Sequence, residues 1–103
     1  MKLRRLASRL GLEESEFKEI LKLFIETSNT DLKNLRCAIE SGDARKAFEA
    51  SHSIKGAAEN LGFLDISGIA RGIEMKARQD ILEGSSEAVY LLKQKIEKIA
   101  AFI

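Results

Sequence analysis

No proline occurs anywhere in the 103 residues, and apolar side chains recur at intervals of three and four rather than two. Such a chain runs as helices, with only glycine and polar turns to stop them. A first segment over about residues 2–10 places Leu3, Leu6 and Leu10 on one stripe and stops at Gly11, since glycine readily takes the left-handed conformation that ends a helix. Over about residues 13–41, Phe17, Ile20, Leu21, Phe24, Leu32, Leu35 and Ile39 form a long stripe. Ser28-Asn29-Thr30 is the place where that helix is expected to break or bend, and Gly42 closes it. Asp43 is suited to cap a helix over residues 43–61 that stops at Gly62, its carboxylate accepting a free backbone amide. Asp65 is placed to cap the next, over residues 65–82, with Ile66, Ile69, Ala70, Ile73 and Ala77 inward. Gly84-Ser85-Ser86 then turns the chain into a last helix over residues 86–102, lined by Val89, Leu92, Ile96 and Ile99. Short connections force sequential helices to be neighbours. The expected fold is therefore all-α: an antiparallel up-down four-helix bundle with a short additional N-terminal helix, one domain over residues 1–103.

Composition narrows the function classes. Hydrophobic residues at 45% and charged residues at 32% suit a soluble globular domain and argue against disorder. No apolar run approaches a membrane span. The segment Met1-Lys2-Leu3-Arg4-Arg5-Leu6 lacks the unbroken apolar stretch of a secretory signal, so a cytoplasmic location is expected. One cysteine and one histidine provide neither an internal disulfide nor a metal-ligand cluster, and no cofactor is expected. Seventeen basic residues against sixteen acidic ones leave a net charge of +1, no footprint for nucleic acid. Partner proteins are the better expectation, met by a monomer.

The single histidine, His52, lies in Ala50-Ser51-His52-Ser53-Ile54-Lys55-Gly56-Ala57-Ala58-Glu59-Asn60-Leu61-Gly62. The core stripe there is Ala47, Ser51, Ile54, Ala58 and Leu61. At roughly 100° per residue, His52 sits about 160° from Ile54, on the polar face with Arg45, Glu49, Gly56 and Glu59. Its imidazole is expected in solvent. Lys55 and Gly56 follow at offsets of three and four, the spacings that make side chains neighbours on a helix. A phosphoryl group on the imidazole would carry nearly two negative charges, which an adjacent ammonium offsets. The bare glycine leaves room for another protein's active site, at a helix-propensity cost of about 1 kcal/mol relative to alanine.

An exposed neutral imidazole keeps a ring nitrogen free as a nucleophile toward phosphorus, and the spacing alone does not choose between the two nitrogens. With no phosphate-cradling glycine loop and no nucleotide-binding pattern, the chain must borrow a partner's chemistry to activate a donor.

Here the sequence resembles the histidine-containing phosphotransfer (HPt) family. The family's signature is a small residue, His, two residues, Lys-Gly, a small-residue stretch and a further Gly, matched by His52, Lys55, Gly56 and Gly62. Ile66, Ala70, Ile73-Glu74 and Ala77-Arg78 resemble its next helix, and Ser51 replaces the alanine that commonly precedes the histidine. The resemblance implies a carrier, not an enzyme. His52 would accept a phosphoryl group from a receiver-domain aspartate or partner kinase and pass it to another receiver, which brings its own acidic pocket and Mg²⁺. Lys55 would stabilise the phosphoryl oxygens and Gly56 would admit the receiver. The implied partners are a response-regulator receiver and a sensor or hybrid histidine kinase.

Other features read first as structure. Phe48, about 120° from Ile54, belongs to a docking patch with Glu59 or to the core. Phe17, Phe24 and Phe63 suit the interior. Gly68 and Gly72 are spaced to admit a neighbouring helix closely. Arg71, Lys76 and Arg78 read as solvated surface, and Cys37 as an ordinary, partly exposed thiol. The alternatives are the phosphotransfer domain of a chemotaxis-type kinase, fed by its own ATP-binding domain, and a helical protein-binding adaptor that is never phosphorylated.

Overall fold

Gly42 and Gly62 end their helices as the sequence predicts. Both take the left-handed conformation, with φ of 72° and 78°. Their amides close the preceding turns onto the carbonyls of Ile39 and Glu59 at 3.2 and 3.1 Å. The computed structural model describes residues 2–103, divided into α1 (Leu3–Arg9), α2 (Glu14–Ser41), α3 (Ala44–Leu61), α4 (Leu64–Arg78) and α5 (Ser85–Ala100). No strand occurs among the described residues. Side chains satisfy free amides at the starts of α2 and α3. The Glu13 amide donates to the Glu16 carboxylate at 3.0 Å, and the Lys46 amide donates to Asp43 at 3.0 Å, as an N-cap aspartate should.

The four long helices follow one another up and down, α3 packing most extensively on α4, then on α2, while α5 returns against α2 and α4. The result is a bundle 42 Å long and 19 by 17 Å across, with α1 laid against α2. Phe17, Leu21, Leu35, Ile54, Ile66, Leu92 and Ile96 fill its centre, each such side chain contributing about 1.5–3 kcal/mol through burial. The Phe24 and Phe63 rings pair at 5.4 Å with a 51° tilt. Asp65 joins Lys95 across α4 and α5 at 3.0 Å, and Asp31 accepts from Ser53 across α2 and α3 at 2.7 Å. None of the described helices is long and apolar enough to cross a membrane.

Several local expectations need correcting. The first helix stops at Arg9, so Leu10 leaves the helical period and stands 43% exposed, while Ala7 makes the buried contact. In α2, Ile20 lies at the exposed edge of the stripe, and Ser28 and Ala38 occupy its centre. The helix runs unbroken through Ser28-Asn29-Thr30. The Thr30 hydroxyl bonds back to the Glu26 carbonyl at 3.2 Å, whereas the fully buried Ser28 hydroxyl has no partner among the described residues. Phe63, not Asp65, is the residue before the first turn of α4; Asp65 sits within that turn and accepts from the Ile66 amide. The same helix ends at Arg78 rather than residue 82, because Asp80 turns left-handed at φ 62° and the Ile81 amide closes onto the Lys76 carbonyl at 2.9 Å. Aspartate is one of the few residues besides glycine that tolerates this conformation. A Cβ at Gly68 or Gly72 would meet nothing within 4 Å, so neither glycine admits a close helix.

Candidate functional site

The position of His52 follows from its neighbours on α3. Ser51 and Ile54 are fully buried, and the Ser51 hydroxyl is satisfied by the carbonyl of Ala47 at 2.7 Å, so the small polar residue sits inward without an unmet hydrogen bond. Turning those two side chains inward turns His52 outward, and its side chain is 61% exposed.

Across the α3–α4 seam lies a carboxylate that the sequence reading did not assign to the site. Glu74 is buried, with its side chain only 9% exposed, and its two oxygens meet His52 Nδ1 at 2.5 Å and Lys55 Nζ at 3.0 Å. Burial pushes the Glu74 carboxyl up, but the hydrogen bonds from Lys55 and His52, with the charges behind them, outweigh it and hold the group below its ordinary value. It is therefore ionised at neutral pH and can only accept. His52 Nδ1 must carry the proton, and in the neutral ring the free lone pair falls on Nε2. A signal for Glu74 was available. Its neighbours on the apolar stripe are Ala70 and Ala77, four residues before and three after, and a carboxylate on a core-facing stripe requires partners.

Lys55 is more enclosed than expected, its side chain 20% exposed and tied to Glu74. Gly56 is half-buried, and a Cβ there would meet nothing within 4 Å. The half-buried Phe48 ring stacks on the His52 imidazole, 5.8 Å between centroids and 12° from parallel, and the Arg78 guanidinium lies 5.5 Å from the centre of the Phe48 ring. Glu59 is exposed on the same helix and shares no hydrogen bond with His52 among the described residues. Cys37 is exposed. Next to His52, Ser53 donates to Asp31; burial raises the Asp31 carboxyl, and this hydrogen bond only partly offsets it.

The family described as Hpt domain matches residues 19–102. Among solved structures, the chain is similar to the histidine-containing phosphotransfer protein B (HptB) of Pseudomonas aeruginosa PAO1. The TM-score is 0.85 at 25% sequence identity, over 99% of this chain and 89% of that one. No curated protein sequence matches the chain at a significant level.

Proposed function

The chain belongs to the Hpt domain family, whose work is histidine phosphotransfer in phosphorelays, and on that premise we propose that His52 is the residue that carries the phosphoryl group. The observation that carries this reading is the Glu74 contact: it places the proton on Nδ1 of a ring that is 61% exposed, leaving Nε2 as the nucleophile. The donor is the aspartyl phosphate of a receiver domain. The Nε2 lone pair forms the N–P bond as the P–O bond to the aspartate breaks, and the receiver's carboxylate leaves with the bonding electrons. The positive charge that grows on the ring faces the Glu74 carboxylate, which is fixed beforehand and needs no reorganisation. The reverse sequence loads a second receiver. Lys55 offsets the charge of the transferred group, and Gly56 and Glu59 lie on the face the receiver approaches. The Mg²⁺ and the acidic pocket that activate the donor belong to the receiver.

The test mixes the protein with receivers whose phosphoryl group is labelled. Transfer of an acid-labile, base-stable label to the wild-type chain, and none to His52→Gln at unchanged helical content, is the expected outcome. A chain that stays unlabelled with every receiver of a broad panel would instead be a helical binding adaptor.

A further inference from the structure

Two torsions place a histidine ring, and one hydrogen bond constrains only one combination of them. The bond from His52 Nδ1 to Glu74 holds one edge of the imidazole but leaves the ring free to rock about that edge. A flat surface parallel to the ring removes the remaining freedom. Phe48, one helical turn earlier, supplies that surface at 12° from parallel and 5.8 Å between centroids, within the range of offset-stacked aromatic pairs. Phe48 is itself held. It is half-buried, packed against the core, and the Arg78 guanidinium from α4 lies 5.5 Å from its ring centre, within cation–π range. Arg78 and Glu74 stand four residues apart on α4, so one helix supports both constraints on the imidazole.

We propose that Phe48 is a positioning residue for phosphoryl transfer: its ring, with Arg78 against it, sets the plane of the His52 imidazole so that Nε2 faces the incoming phosphorus. It acts through His52 and touches no phosphoryl oxygen. This goes beyond the reading of His52 as phosphoryl carrier but rests on it. In-line displacement is sensitive to the direction of the attacking lone pair, and loss of that alignment lowers the rate of the chemical step rather than the affinity for the donor.

The experiment compares wild type with Phe48→Leu, Phe48→Tyr and Arg78→Gln by two measurements on the intact chain. The first is the ¹⁵N and ¹H NMR of the His52 ring, which needs no partner. The second is transfer from a phosphorylated receiver, resolved into kcat and KM. Phe48→Leu should lose the ring-current displacement of the His52 ring protons, keep the Nδ1–H tautomer that Glu74 sets, and lower kcat about fivefold with KM changed less than about twofold. Phe48→Tyr keeps a flat ring and should restore both, and Arg78→Gln should fall between. The proposal is overturned if Phe48→Leu leaves the His52 ring signals unmoved, or if it raises KM alone, which would make Phe48 a docking contact. If the wild-type chain takes no label, the phosphoryl-carrier reading fails by itself, and the ring signals still report whether Phe48 orients His52.

Discussion

The Lys55 ammonium lies 3.0 Å from a Glu74 oxygen, so before any phosphoryl group arrives the cation already serves a buried carboxylate. Removing it therefore has two consequences. Lys55→Ala leaves Glu74 with His52 as its one remaining partner, and a buried acceptor stripped of a charged donor costs about 1–3 kcal/mol. Urea unfolding should show that loss as a lower midpoint at unchanged slope. On the proposed role of Lys55 in offsetting phosphoryl charge, the phosphorylated form should also lose its label sooner, by about three- to tenfold. Equal lifetimes in the two proteins would count against the charge-neutralising role.

Acid should weaken the fold through Glu74. Its carboxyl is held below the ordinary 4.5 by Lys55 and His52 against the opposing effect of burial. A depressed folded value means stability fully present above the unfolded value and lost as pH falls through the folded one, which places the loss below about pH 4.5. Asp65 is lowered from 3.8 by the same kind of partnership with Lys95, but its side chain is 60% exposed, so solvent screens its share. Asp31 is raised by burial and runs the other way, its protonation favouring the folded state. Urea midpoints measured down to about pH 3 should fall less steeply for Glu74→Gln than for wild type. Parallel curves would mean that the Glu74 pair does not govern acid sensitivity.

Gly56 separates stability from function. Its Cβ position is open, with nothing within 4 Å, and it lies inside α3. Gly56→Ala should raise stability by about 0.5–1 kcal/mol through helix propensity alone. On the proposed reading, transfer from a receiver should slow, because the added methyl stands on the face the receiver is proposed to approach, while phosphorylation by phosphoramidate, a small donor, should hardly change. If both donors slow equally, the glycine serves His52 itself and not the receiver's access.

Much of this arrangement was legible in the sequence, because the features that encode it are local. The interval of three and four, the stops at Gly42 and Gly62 and the Asp43 cap depend on neighbouring residues only, and they mark out α2 and α3 closely. The outward direction of His52 follows from the same rotation. What escaped depends on pairs distant along the chain. Glu74 stands twenty-two residues from His52, and its role emerges only when α4 docks on α3. Phe48 reads alone as a boundary residue, and only the folded seam sets its ring against the imidazole and under Arg78. The early end of α4 was missed for a different reason: Asp80 does there what a glycine does elsewhere, and the sequence signal for aspartate in that role is weak.

Ser28 offers a last measurement, independent of phosphotransfer. It sits on the α2 stripe between Phe24 and Leu32, fully buried, and its hydroxyl finds no partner among the described residues. Ser51 is equally buried but donates to the Ala47 carbonyl. Both substitutions to alanine remove one oxygen from the core, yet they should differ in sign. Ser28→Ala removes a desolvated group that gains nothing in return and should stabilise the protein by about 1 kcal/mol. Ser51→Ala gives up a hydrogen bond, though its carbonyl partner keeps a helical one, so a loss of about 0.5–1 kcal/mol is expected. Thermal or urea unfolding of the two variants side by side decides the matter. A destabilised Ser28→Ala would show that the hydroxyl is satisfied in solution, by a water or by the backbone of its own helix.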